Sequence, residues 1–120
     1  MEKGFCLHGN DIDASRTPVE AGLTWTVGWK TDFIGKAALV EQKASGPDLK
    51  LVAFLMKDRG IPRKGYAIVD SQGAEIGVVT SGTQSPSLGE AIGLGYVPVS
   101  HAANGSALFI AIRDKCIAAE

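Results

Sequence analysis

Residues 66–81 read Tyr-Ala-Ile-Val-Asp-Ser-Gln-Gly-Ala-Glu-Ile-Gly-Val-Val-Thr-Ser, a pattern that indicates β structure. Two apolar runs, Tyr66 to Val69 and Glu75 to Ser81, flank the polar tetrapeptide at positions 70–73. Asp and Ser favour turns through local hydrogen bonds, and Gly73 can adopt the positive φ that a tight hairpin loop requires. The stretch therefore predicts a β-hairpin.

Four further apolar runs of strand length surround this hairpin. They are Leu51 to Met56, Ala91 to Val97, Ala107 to Ile112 and Cys116 to Ala119. Only Arg113-Asp114-Lys115 separates the last two, which is a second hairpin signal. Six short strands with no helix between them predict a mainly β fold, an antiparallel six-stranded barrel or sandwich over residues 49–120. Residues 1–48 form a separate irregular and helical segment in this interpretation.

The segment before the barrel contains two helix signals. Thr17, Pro18 and Glu20 have the spacing of a capping box with Pro at the first helical position. This first helix must be a short turn, since Gly22 and the β-favouring run Leu23 to Val27 follow it.

The second signal predicts a helix over about Ile34 to Ala44. Asp32 is the expected N-cap, and the chain leaves the helix at Ser45-Gly46-Pro47. Its apolar residues recur at a helical period and predict the packed face; they are Phe33, Ala37, Val40 and Ala44.

Composition excludes several classes of function. The 120 residues carry 12 Lys and Arg against 13 Asp and Glu, a net charge of −1, and contain no basic run for a nucleic acid. No apolar stretch approaches the ~20 residues of a membrane-spanning helix, and no signal peptide is recognisable at the N-terminus. Cys6 and Cys116 are isolated, which predicts neither a metal site nor a disulfide framework and favours a reducing compartment.

Six segments, in order and at matching spacing, resemble the C-terminal portion of the glycine cleavage system T-protein, the aminomethyltransferase family. They are Leu7–Asp13 (LHGNDID), Thr17–Val27 (TPVEAGLTWTV), Asp32–Leu39 (DFIGKAAL), Gly60–Tyr66 (GIPRKGY), Gly77–Leu88 (GVVTSGTQSPSL) and Gly93–Pro98 (GLGYVP). The similarity extends over nearly the whole chain. It implies that residues 1–48 are the tail of a folate-binding domain and that residues 49–120 are the C-terminal barrel.

The resemblance also implies an activity. Members of the family accept an aminomethyl group from the lipoyl arm of the H-protein, release ammonia and pass the one-carbon unit to tetrahydrofolate. The aspartate usually given the catalytic role lies in the family's N-terminal half, which this chain lacks. We therefore expect the fragment alone to be inactive, to contain no metal, and to work with other glycine cleavage components in the bacterial cytoplasm or the mitochondrial matrix.

Three residues are candidates for contact with folate. Trp25 matches the family's Leu-x-Trp motif and could stack on a flat pterin or p-aminobenzoyl ring, or could be a core tryptophan. Asn10 could bind a ligand amide, or pin its own loop through an Asx turn. Arg63 could attract the glutamate tail of folate, or be a solvated surface charge.

Other polar residues receive structural interpretations. Glu20 is expected to cap a turn rather than bind a pterin, and Trp29 is expected to pack. His8 replaces the tyrosine usual in the family. The small residues of 80–86 lack the Gly-x-Ser-x-Gly elbow and are interpreted as a strand end.

Two alternative functions stay open at this point. One is the folate-binding portion of a dimethylglycine-type demethylating enzyme, built on the same scaffold. The other is a non-catalytic β-barrel that only packs on a neighbouring domain. If partner domains are missing, the barrel exposes an apolar docking face, which predicts self-association or disorder in residues 1–31.

Overall fold

A computed structural model describes residues 1–120. Its regular elements, in chain order, are a 3-10 helix Thr24–Thr26, α1 Lys36–Ser45, β1 Leu49–Leu55, β2 Ala67–Val69, β3 Glu75–Gln84, β4 Ala91–Pro98, a 3-10 helix Val99–His101, β5 Leu108–Ile112 and β6 Lys115–Ala119. The fold is mainly β, and all six predicted strands are present.

The six strands form one antiparallel sheet in the order β1-β4-β3-β2-β5-β6. The sheet curls until its two outer strands meet. Leu55 and Glu120 exchange two backbone hydrogen bonds, with N···O distances of 2.8 and 3.0 Å, and Met56 bridges Ala119. Contact between the first and last strands makes the curled sheet a small barrel, as predicted.

The interior of the curled sheet is apolar. Ile68, Val97 and Ile110 are fully buried, and Phe54 and Val79 pack beside them. Seven consecutive residues of β4, 91–97, are buried because both faces of this strand are covered: Val97 packs in the core, and Tyr96 contacts Asp11 of the segment before the barrel. Burial of these side chains is the main source of stability.

The two hairpins differ in how well their loops were predicted. In the first, Gly73 has a φ of +80°, and the Asp70 carboxylate accepts hydrogen bonds from the N–H groups of Gln72 and Ala74. The second loop is shorter than predicted, because Lys115 already belongs to β6 and pairs with Ile112. Arg113 makes this tight turn with a φ of +55°.

The prediction for α1 was right about the helix and wrong about its start. The helix begins at Lys36, and its N-cap is Gly35 at a φ of +86°, with no side-chain cap. Asp32 is therefore not the N-cap. The left-handed conformation of Gly35 turns the chain immediately before the helix, which moves the first helical residue away from Asp32.

The predicted packed face of α1 was also wrong. No residue of the helix is buried, Val40 is 47% exposed, and the neighbouring Ile34 is fully exposed. The opposite side meets the rest of the chain, where the Thr17 hydroxyl donates a 2.7 Å hydrogen bond to Gln42. The apolar stripe thus faces outward.

The run Leu23 to Val27, expected to favour β structure, instead contains a 3-10 turn. Local hydrogen bonds stabilise the turn: the Thr26 hydroxyl donates to the Leu23 carbonyl, and the Trp29 indole N–H donates to the Thr24 carbonyl. Neither α1 nor the 3-10 turns are long and apolar enough to cross a membrane.

Candidate functional site

The turn formed by residues 7–13 lies against one wall of the barrel and is fixed there by Asp11. The carboxylate of Asp11 is 1% exposed and accepts hydrogen bonds from the Leu7 N–H at 2.8 Å and the Thr80 hydroxyl at 2.5 Å. The Asp11 main-chain carbonyl accepts a third bond, at 2.7 Å, from the Tyr96 hydroxyl. A buried carboxylate is tolerated only when its oxygens are hydrogen-bonded.

The local sequence explains why this turn forms. The N–H groups of Asn10 and Asp11 both donate to the Leu7 carbonyl, and Gly9 adopts a φ of +86° that other residues rarely reach. The Gly9 N–H then donates to the Ile12 carbonyl at 2.8 Å. The chain thus folds back on itself, and Asp11 points into the barrel wall.

Two cations stand beside this turn. Lys64 donates from Nζ to the Gly9 carbonyl at 2.9 Å and to the Asn10 Oδ1 at 2.7 Å. The Arg16 guanidinium lies over the Tyr96 ring, 4.4 Å from its centroid. These side chains and their neighbours line an open depression of about 210 Å³.

The contact with Lys64 decides which group Asn10 can offer to a ligand. A lysine ammonium has three donors and no acceptor, so the amide oxygen of Asn10 must face it. The amide NH₂ of Asn10 makes no hydrogen bond within the chain and is available as a donor. Asn10 can therefore bind an acceptor, such as a carbonyl, a ring nitrogen or a carboxylate.

Ionisation states follow from these surroundings. Burial raises the pKa of Tyr96 from 10.0 to about 12, so its hydroxyl stays protonated and keeps donating to Asp11. Hydrogen bonds from the Ser15 hydroxyl and N–H, and then the nearby Arg16, lower the pKa of Asp13, which stays ionised at the rim. Burial raises the pKa of the Cys6 thiol, which disfavours the reactive thiolate.

The three candidate residues are not brought together. Asn10 lines the depression, whereas Arg63 is an exposed residue beside Lys64, and its guanidinium makes no hydrogen bond. Trp25 is 80% exposed on its 3-10 turn, and its indole N–H has no partner within the chain. Whether any of them contacts folate stays a prediction.

Sequence reasoning missed four residues around Asn10. Lys64, Thr80 and Tyr96 all lie within the segments quoted for the family resemblance, so their positions carried a signal, whereas Arg16 lies outside those segments. What the sequence did not reveal is that they surround one turn. Lys64 is 54 positions from Asn10, and Thr80 is 69 positions from Asp11.

Residues given structural interpretations behave accordingly. Glu20 accepts from the Thr17 N–H at 2.9 Å and its own N–H donates to the Thr17 hydroxyl at 3.2 Å, a reciprocal capping box. Trp29 packs under the Lys43 ammonium, 4.6 Å from the ring centroid. His8 is exposed. The structure contains no group of three or more His, Cys, Asp or Glu that could hold a metal ion.

Residues 50–120 match the sequence model of the glycine cleavage T-protein C-terminal barrel domain. The chain belongs to this family. The match begins within one residue of the start of β1 and includes every strand of the barrel.

Individual relatives extend the similarity to the segment before the barrel. The chain is 53% identical over 121 residues to an aminomethyltransferase of Halothermothrix orenii, covering all of this chain and 34% of that protein. It is 49% identical over 120 residues to an aminomethyltransferase of Flavobacterium psychrophilum, with 33% of that protein covered. The chain thus spans about a third of the length of these curated relatives.

A solved structure has the same fold. The crystal structure of glycine cleavage system aminomethyltransferase T from Bartonella henselae superposes with a TM-score of 0.92 at 40% sequence identity. The superposition covers 98% of this chain and 34% of that one. The family is one of transferases, and the predicted barrel class is confirmed.

Proposed function

We propose that this chain is the barrel-bearing third of an aminomethyltransferase. In this proposal the whole enzyme takes an aminomethyl group from the lipoyl arm of the H-protein, passes the one-carbon unit to tetrahydrofolate and releases ammonia. The observation that carries the proposal is the similarity to aminomethyltransferases along the whole chain, before the barrel as well as within it. The reaction belongs to a reducing compartment, the bacterial cytoplasm or the mitochondrial matrix.

The residues of this chain have binding roles in the proposal, and the catalytic aspartate lies on the upstream part. Asn10 offers a neutral donor, and Lys64 and Arg16 offer positive charge at the same depression. Tetrahydrofolate has matching groups, since its ring and amide carry acceptors and its glutamate tail carries carboxylates. Trp25 presents an exposed flat face suited to stacking on a ring.

A chimaera tests the proposal directly. This chain replaces the segment of the Halothermothrix orenii aminomethyltransferase that it matches, and ammonia release is measured with aminomethylated H-protein and tetrahydrofolate. We expect turnover that depends on tetrahydrofolate. The two controls, the 120-residue chain alone and the relative without that segment, are expected to give none.

Two outcomes would count against the proposal. A folded chimaera that binds no tetrahydrofolate would contradict a role of this chain in folate binding. If the chimaera is inactive with aminomethylated H-protein while the unaltered relative is active, a role of this chain in aminomethyl transfer is contradicted. The demethylating alternative is tested by fusing this chain to a flavin domain and supplying dimethylglycine as the one-carbon donor. Transfer of the one-carbon unit to tetrahydrofolate by this fusion would support that alternative.

A passive packing module is a second candidate, and exposed apolar side chains favour it. Phe5 and Trp25 are about four-fifths exposed, and Ile34 is fully exposed. Surfaces of this kind are typical of contacts between domains. Isothermal titration of the chain with a reduced folate separates the candidates, because a purely packing barrel gives no binding heat even at millimolar protein.

A further inference from the structure

We propose that Thr80 and Tyr96 are positioning residues that hold Asn10 at the ligand depression through their hydrogen bonds to Asp11. Neither residue needs to touch the ligand for this role. The expected effect on catalysis rests on the proposed function. The expected effect on the turn of residues 7–13 rests on the geometry alone.

The hydrogen bonds come from the barrel and end on the turn. Thr80 lies on β3 and Tyr96 on the adjacent β4, and both side chains are at least nine-tenths buried. The Thr80 hydroxyl donates to the Asp11 carboxylate, and the Tyr96 hydroxyl donates to the Asp11 carbonyl. Two donors on rigid strands therefore fix both the side chain and the main chain of one residue.

Apolar packing does little to hold the same segment. Phe5 is 81% exposed and Leu7 is 57% exposed, and Cys6 and Ile12 are only partly buried, so none of the apolar side chains of residues 5–13 is fully buried. Hydrogen bonds to a buried charged group are directional and stronger than neutral ones. The position of the turn is thus set mainly by the contacts of Asp11.

Asn10 directly precedes Asp11, so a displacement of Asp11 displaces Asn10 as well. Lys64 does not prevent this displacement, because it is an exposed, flexible side chain that can follow the turn. Loss of the barrel donors is therefore expected to misplace the free amide NH₂ of Asn10 relative to the depression.

The test compares Thr80→Val with Thr80→Ser and Tyr96→Phe. Valine keeps the shape of threonine and removes the hydroxyl, whereas serine keeps the hydroxyl. Tyr96→Phe keeps the ring under Arg16 and removes only its donor. In the chimaera we expect Thr80→Val to raise the KM for tetrahydrofolate on the order of tenfold, the scale of one hydrogen bond to a charged group. The KM for aminomethylated H-protein stays unchanged, and Thr80→Ser restores the normal value.

Amide hydrogen exchange in the 120-residue chain gives a readout that does not depend on catalysis. Thr80→Val and Tyr96→Phe are expected to speed exchange of the Leu7 N–H, which donates to Asp11, while amides of the β2–β3 hairpin keep their protection. If Thr80→Val does not fold, Tyr96→Phe alone decides.

The inference is overturned if Leu7 exchange is unchanged in the folded variants. It is also overturned if Thr80→Ser behaves like Thr80→Val, or if Thr80→Val lowers the melting temperature without moving the KM for tetrahydrofolate. An unaltered chimaera without activity counts against the proposed function only, and the exchange measurement then decides this inference.

Discussion

Gly77 on β3 lies directly against the backbone of Tyr96 on β4. A Cβ built on Gly77 would overlap the Tyr96 carbonyl oxygen and lie 3.1 Å from its carbonyl carbon. The atoms in the way belong to the main chain of a central strand, which cannot rotate aside as a side chain can. Glycine is therefore required here by space, at a point where two strands approach closely.

Gly77→Ala is expected to lower the free energy of unfolding by roughly 1–3 kcal/mol or more, as overpacking in cores does. Urea unfolding followed by circular dichroism measures the change. Val78→Ala, on the same strand and 37% exposed in the parent, is the control and should cost less. Equal losses in the two variants would contradict the steric explanation.

Glu20→Ala is expected to destabilise the chain by about 0.5–1 kcal/mol, because the capping box with Thr17 loses one of its two hydrogen bonds. The same turn supplies the Glu20 carbonyl that accepts from the Leu51 N–H of β1. Glu20→Gln keeps an acceptor and should unfold at nearly the parent urea concentration. A glutamine variant as unstable as the alanine variant would instead indicate a need for negative charge.

Stability is expected to fall between about pH 10 and pH 12 because of Tyr96. Burial raises its folded-state pKa from 10.0 to about 12. Above pH 10 the unfolded chain therefore releases a proton that the folded chain retains, and alkali favours unfolding. The contribution is complete below pH 10 and is lost as the pH rises through 12. In Tyr96→Phe the urea midpoint should change less between pH 10 and pH 12 than it does in the parent. An identical pH dependence in that variant would refute the assignment of the stability loss to Tyr96.

Ile34→Lys and Val40→Lys are expected to leave the free energy of unfolding within about 0.5 kcal/mol of the parent, because both side chains are exposed. The double variant should also reduce self-association of the 120-residue chain, measured by sedimentation at several concentrations. Lys36→Ala, at the start of the same helix, is the control. Self-association that persists unchanged in the double variant would show that a different surface mediates it.

Features that depend on neighbouring residues were predictable from the sequence. The hairpin of residues 66–81 was correct because Asp70 and Gly73 carry their turn chemistry locally. The capping box of Thr17 and Glu20 was correct for the same reason. The six strand-length runs narrowed the fold to an antiparallel barrel or sandwich, and the family resemblance then selected the barrel.

Features that depend on distant residues or on backbone handedness were not predictable. Nothing in the sequence revealed that Gly35 would take a left-handed conformation and delay the start of α1. The apolar residues of α1 do recur at a helical period. Periodicity alone, however, cannot show whether an apolar face packs against this chain or is exposed on its surface. The depression beside Asn10 depends on Lys64 and Tyr96, which only the folded barrel brings near it.

The barrel domain matched by the family model begins later in the chain than the residues that contact the barrel. The family match starts at residue 50, yet the acceptor for Thr80 and Tyr96 stands at position 11. Excising residues 50–120 removes the Asp11 acceptor from both hydroxyls, and Thr80 keeps only the Leu94 carbonyl, 3.2 Å away. Grafting this barrel onto another protein should therefore carry residues 7–16 with it, or replace Thr80 and Tyr96 by valine and phenylalanine.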